Sequence, residues 1–296
     1  MNAAFDPARW PDAFPPPFAD AWGDDRFGLW AEFTVETEHG KAAQRMRWIE
    51  PGTFRMGSPG SEPERYDDEG PQHLVTLTHG FWLADTACTQ ALWRAVMGDE
   101  PSRLKGNDPC PVEQVSWDRI QEFLRAFEAL LPGCGAALPT EAQWEYACRA
   151  GTTTPFSFGE QITPEIVNYN GNHPYVGGKT GEFRNRTVPV KSLPANDWGL
   201  YEVHGNVWEW CADGMRAYDD APQQDPEGPA DRAHRAVRGG SWHRGAGYAR
   251  SAFRNLLGPG LAFDFLGFRL CLRSLVPERD AGRLAALRSK AGAQRR

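Results

Sequence analysis

The chain lacks any apolar run approaching the roughly 18 residues a membrane-crossing helix needs, so no membrane segment is expected. Its start, MNAAFDPARWPDAFPPPFADAW, has neither a basic lead nor an apolar stretch. No secretory signal is expected there, and a cytoplasmic location is. There is no excess of positive charge: the net charge is −7 and the pI about 5.6, which gives no footprint for nucleic acid. CxxC pairs are missing too. The six cysteines, Cys88, Cys110, Cys134, Cys148, Cys211 and Cys271, stand at no zinc-finger spacing. Cys88, Cys148 and Cys211 lie among apolar neighbours and read as reduced, buried thiols.

What the chain has in quantity is tryptophan, glycine and proline: 12, 31 and 24 of 296 residues. That composition points to a loop-rich fold held by aromatic packing, not a helix bundle. Residues 1–25 are rich in Pro and Asp and read as an arm. Residues 27–38 alternate as a strand, turn at His39–Gly40 and return through Gln44–Ile49. Short strands follow at Phe54–Ser58, His73–Leu77 and Gly80–Ala84. Three helices come next. One covers Thr89–Met97 and stops at Gly98. Another, capped by Ser116, carries Ile120, Phe123, Leu124, Phe127, Leu130 and Leu131 on one face. The last opens at Thr140 with Gln143 as a capping box. From Gly151 to Asp197 the sequence is mostly loop, a length that needs an ion or packed aromatics to fix it. Ala236–Trp242 and Phe268–Leu272 read as strands. Residues 275–296 form a basic tail, leaving 26–274 as the domain.

The stretch Gly205–Trp210, GNVWEW, organises the rest. In extended backbone Trp208 and Trp210 share one face and enter a core, while Val207 and Glu209 face the other way. Asn206 and Glu209 offer hard oxygen ligands beside a glycine, which suits calcium; a Trp-rich core strand with a solvated Glu is the other reading.

The motifs FRMGS, EGPQHLVTL, FWLADTACTQALWRAVMG, PVEQVSWDR, LPTEAQWEYACRAG, GLYEVHGNVWEW, RGGSW and LGFRL follow one another in an order that resembles the formylglycine-generating enzyme, or sulfatase-modifying-factor, family. The resemblance spans about residues 46–273. It implies an α+β, C-type-lectin-like fold with short twisted strands, a few helices and long loops. Active members use two cysteines just after the GGS motif to bind copper(I); thiolates suit that soft ion. Here that segment reads Ser241-Trp-His-Arg-Gly-Ala-Gly-Tyr-Ala-Arg250, with no cysteine. A second branch uses a His-rich iron helix, and none of the seven histidines here forms an HxxxH pair. Copper and iron are therefore not expected. The family's calcium ligands resemble Asn206 and Glu209, with backbone oxygens near Val203, Gly205 and Val207. A second calcium position would begin at Asn168, with its acidic partner not aligning around Gly181–Phe183.

Residues 243–266 contain no Lys, Glu, Gln, Met or Trp, although these types make up 52 of the 296 residues. Independent draws would leave 24 positions free of all five about once in a hundred. They are the residues that codons ending in C do not encode. The pattern resembles the variable proteins of diversity-generating retroelements; an ordinary Gly-rich loop would also be short of Lys and Glu. Arg250, Ser251, Ala252, Arg254, Asn255 and Pro259 stay family-like. His243, Arg244, Tyr248, Leu256, Leu257, Leu261, Phe263, Asp264 and Phe265 are the unusual letters between them. The expectation is a non-catalytic module that binds a protein or peptide through this surface. A metal-dependent oxidoreductase, or a maturation factor for a partner enzyme, is the alternative.

Overall fold

The computed structural model describes residues 9–214, 216–228 and 233–273. The basic tail at 275–296 and the first eight residues of the arm lie outside them. Strands β1 (Ala21–Asp25), β2 (Gly28–Thr37) and β3 (Gly40–Ile49) open the fold, followed by β4 (Gly52–Met56), β5 (His73–Leu77) and β6 (Phe81–Ala84). Helices α1 (Gln90–Met97) and α2 (Trp117–Leu130), strand β7 (Ala136–Ala137) and helix α3 (Glu141–Arg149) come next. The chain closes with β8 (Trp208–Trp210), β9 (Gln223–Gln224), β10 (Arg235–Arg238), β11 (Asn255–Leu257), β12 (Leu266–Phe268) and β13 (Cys271–Leu272). These make a six-stranded sheet in the order β1-β2-β3-β6-β13-β7, a four-stranded sheet β11-β10-β8-β12 and a three-stranded sheet β4-β5-β9. No helix of the described residues is long and apolar enough to cross a membrane.

Local chemistry explains the helix ends. Thr89, Ser116 and Thr140 each accept a hydrogen bond from the backbone N–H three residues on, which satisfies one orphan donor of the first turn. Thr140 and Gln143 form the reciprocal capping box. Gly98 closes α1 at a φ of 74°, a left-handed geometry a glycine adopts at little cost. On α2, Ile120, Phe123, Leu124 and Phe127 are buried. Phe123 stacks on Trp93 at 5.3 Å, and Phe127 meets Phe33 edge-on at 5.1 Å.

Three local expectations change. Ala21–Asp25 is not part of a loose arm: it pairs antiparallel with β2 from Ala21↔Glu32 to Asp25↔Gly28. Leu130 is exposed, at the last residue of α2. Phe268–Leu272 is two strands in two sheets. β12 runs parallel to β8, and β13 joins β6 and β7 after Arg269 and Leu270. The long segment after α3 is held by its own apolar cluster of Phe156, Ile162, Val167, Tyr169 and Tyr175, which also takes in Ala246 and Ala249.

Candidate functional site

Trp208 and Trp210 do enter the main core together, in register with Leu266 and Phe268 of β12. Glu209, on the opposite face, is buried and not solvated. Arg269 Nη2 donates to its Oε1 at 2.8 Å, and Trp144 Nε1 donates to its Oε2 at 2.7 Å. A guanidinium matches the charge of this carboxylate, and both of its oxygens accept hydrogen bonds. Asn206 is also engaged: its Oδ1 accepts from Val188 N at 2.9 Å and from Asn168 Nδ2 at 3.1 Å. Gly205 N donates to Gly239 O, and Asn206 N to Asn168 O, which fixes this turn through its N–H groups. The side chains of Asn206 and Glu209 are thus both held by protein partners. The buried Asn168 Oδ1 is left without a hydrogen-bond partner. Among the described residues, no three His, Cys, Asp or Glu side chains cluster as a metal site.

His204 packs near Cys148, its ring nitrogens within 3.8 Å of the sulfur. Burial holds His204 down to about 4 and pushes the Cys148 thiol up to about 12. Both are thus neutral near pH 7, a packed pair and not an activated nucleophile.

Segment 243–266 lies over a base of three buried arginines. Arg250 donates to Glu62 Oε1 at 2.7 Å and to both oxygens of Glu69 at 2.7 and 2.6 Å. Arg254 grips Glu141 with two bonds of 2.7 Å. Arg238 donates to the carbonyls of Ser251, Ala252 and Phe253 and to Glu145. Bidentate guanidinium–carboxylate contacts of this kind fix direction as well as charge. Above this base the side chains divide. Arg250, Ser251, Ala252 and Arg254 are buried, and Asn255 and Pro259 are half-buried. None of the nine unusual residues is buried: Arg244, Leu261 and Phe263 are exposed, and His243, Tyr248, Leu256, Leu257, Asp264 and Phe265 are half-buried.

The exposed side is built on rings. Phe263 stacks on Phe265 at 5.0 Å, and Phe265 stacks on His243 at 4.2 Å. His243 meets Trp242 at 5.5 Å, and Trp242 stacks on Phe183 at 6.3 Å. Trp242 Nε1 donates to Asp264 O at 3.2 Å, and Gln114 N donates to Phe263 O at 2.9 Å, so the apolar tip is braced from both sides. Leu261 and Phe263 remain 44% and 36% exposed, and Leu104, from a different loop, 42%. Arg103 ties the two loops, pairing with Asp264 at 3.0 Å and lying 5.9 Å from the Trp242 ring centre. Sequence reasoning missed Arg103, Leu104, Glu113 and Phe183, which lie far away along the chain. Glu113 alone stands in a recognisable motif, PVEQVSW.

Glu113 is the buried strut beneath that loop. Arg103 N donates to its Oε1 at 2.7 Å, while its Oε2 has no hydrogen-bond partner. Burial pushes its carboxyl up to about 7 from 4.5. The folded chain therefore binds a proton that the unfolded chain has released above about pH 4.5. The stability it contributes is present below that value and lost as pH rises through about 7. We expect the stability gained by Glu113→Gln over wild type to grow by up to about 3 kcal/mol between about pH 5 and pH 8. Urea titrations at the two pH values measure it, and a pH-independent difference refutes it.

The fold and this clamped, ring-bearing segment define a sulfatase-modifying-factor scaffold of the α+β, C-type-lectin-like kind. The model of the Sulfatase-modifying factor enzyme 1-like domain matches residues 32–274, and the chain belongs to that family. It is 32% identical over 227 residues to the formylglycine-generating enzyme of Streptomyces coelicolor, covering 71% of this chain and 69% of that one. The Mus musculus enzyme of the same name is 34% identical over 219 residues, 70% of this chain, which spans only 55% of the mouse enzyme's length. Among solved structures, Treponema denticola variable protein 1 superposes with a TM-score of 0.68 at 27% identity, over 82% of this chain and 99% of that chain.

Proposed function

We propose that the chain is a non-catalytic binding module that holds a protein or peptide ligand on its 243–266 surface. One observation carries this: the residues that the sequence marks as unusual are all accessible, while four of the six family-like residues between them are buried in the arginine base. A scaffold that fixes its framework letters inside and spends its unusual letters on the surface is built to present a changeable face. The likeness to a protein whose name calls it variable supports the same reading. Clustered Leu261, Phe263 and Phe265 supply the apolar centre that binding hot spots need.

The experiment is selection of a random-peptide library on the purified chain, with Phe263→Ala as the counter-target. Phe263 is 36% exposed and stacks on Phe265, so its removal should cost about 1–2 kcal/mol, and urea unfolding checks that the variant is folded. Binding of the selected peptides should fall by at least about tenfold, a loss of 1.4 kcal/mol or more. Peptides that bind both proteins equally would sink the proposal.

The relatives' name favours a second reading, oxidation of a cysteine in a peptide. It meets a difficulty in the thiols: all six are buried, and none lies in residues 243–266. Oxygen-dependent conversion of a cysteine peptide by the copper-supplied chain would place that reading first.

A further inference from the structure

We propose that the docking face extends beyond residues 243–266 to the 102–106 loop and to residues 170–186, and that its occupant is an acidic protein segment bearing an apolar side chain. The proposal rests on the binding-surface reading above and names the chemistry of the partner.

Four loops meet on this face. Arg103 joins 102–106 to Asp264, and Phe183 joins 170–186 to Trp242. Asn170 N donates to Arg244 O at 2.9 Å, which brings in 243–245. Together these loops carry six cations, Arg103, Lys105, Lys179, Arg184, Arg186 and Arg244, and two acids, Glu182 and Asp264. Both acids are already matched, Asp264 by Arg103 and Glu182 by Arg184 at 3.1 Å. Lys105, Lys179, Arg186 and Arg244 are exposed and form no ion pair among the described residues. Four cations thus stand unmatched on these loops of a chain of net charge −7, and the exposed Asp118 beside Gly260 is one acid that adjoins them. Opposite charge on the partner would speed encounter and fix its orientation, while the apolar contact holds it.

The two loops joined by the Arg103–Asp264 pair carry Leu104, Leu261 and Phe263, three of the eight large apolar side chains that stand exposed among the described residues. Leu104 and Phe263 are the chain neighbours of the paired Arg103 and Asp264, so an apolar side chain of the partner can cover them beside that pair. Single-stranded nucleic acid would also be drawn by cations and rings. The ring faces argue against it. Phe265 is sandwiched between Phe263 and His243, and Trp242 is buried, so the ladder leaves the outer face of Phe263 as its open end. A strand of stacking bases needs successive free faces, whereas one apolar side chain needs one.

The test uses the peptides that the random library yields and a labelled oligothymidylate as nucleic-acid probe. Selected peptides that depend on Phe263 should be rich in Asp and Glu around an apolar residue. Their affinity should fall about tenfold in Lys105→Glu/Arg244→Glu, and should weaken as salt rises. The charged positions are exposed, and an unchanged melting curve checks that the variant is folded. Phe263-dependent peptides that are neutral or basic would overturn the acidic partner while leaving the binding surface standing. An absence of Phe263-dependent peptides would overturn the binding surface itself, and this inference with it. Oligothymidylate that binds the wild type and is lost in the double variant would overturn the inference in favour of nucleic acid.

Discussion

Replacing Arg238 by methionine is expected to destabilise the fold by about 3–5 kcal/mol, the cost of breaking a buried ion pair from one side. The guanidinium is fully buried on β10. It donates to Glu145 and lies 3.6 Å from Glu141, both on α3. The same side chain donates to the carbonyls of Ser251, Ala252 and Phe253. Methionine fills similar volume and satisfies none of these acceptors, so each buried carbonyl loses a partner. Glu145 keeps Arg149 at 2.9 Å and Glu141 keeps Arg254 at 2.7 Å, which holds the loss below that of two bare charges. Because Arg238 holds the base of the 243–266 segment, peptide binding should fall with stability. Equilibrium urea unfolding measures the effect. A loss under about 1 kcal/mol would mean that the arginine base is not what fixes the segment. Arg238→Lys separates charge from geometry: it keeps the cation, loses the planar fork, and should lie between wild type and methionine.

Gly205→Ala is expected to cost about 2–5 kcal/mol, the sum of a left-handed backbone penalty and a steric one. Gly205 sits at a φ of 75°. A methyl there would overlap the Asn168 carbonyl oxygen and come within 2.9 Å of Val167 Cγ1. The Asn168 contact is backbone, so relief requires moving the pairing of 168 with 205. Gly28→Ala is the control. It too has a positive φ, 95°, but open space around its Cβ position. The difference between the two substitutions isolates the steric part. Equal losses in the two would show that the close approach at Asn168 relaxes freely.

Much of this was legible in the sequence, and for local reasons. The caps at Thr89, Ser116 and Thr140 act over three residues, so a linear reading finds them. The apolar stripe of α2 and the shared face of Trp208 and Trp210 follow from the periods of helix and strand. The eight ordered motifs identified the family. In residues 243–266 the match to burial is partial: four of the six framework residues are buried, while Asn255 and Pro259 are half-buried like six of the nine unusual ones. Leu130 was misread because periodicity says which side of a helix a residue is on, not whether that side is covered to the helix end.

The sequence by itself therefore determined the family, the three helices and the core face of GNVWEW. The tertiary structure alone decided three things. Glu209 is buried with Arg269 as its partner and is not solvated. Arg103 and Leu104 complete the candidate face. The chain changes sheets between Phe268 and Cys271. The physical reason is common to all three. Propensity and capping act within a turn or two of the backbone, whereas a buried charge takes whichever opposite charge the fold brings within a few ångströms. Glu209 and Arg269 are 60 residues apart along the chain and 2.8 Å apart in space.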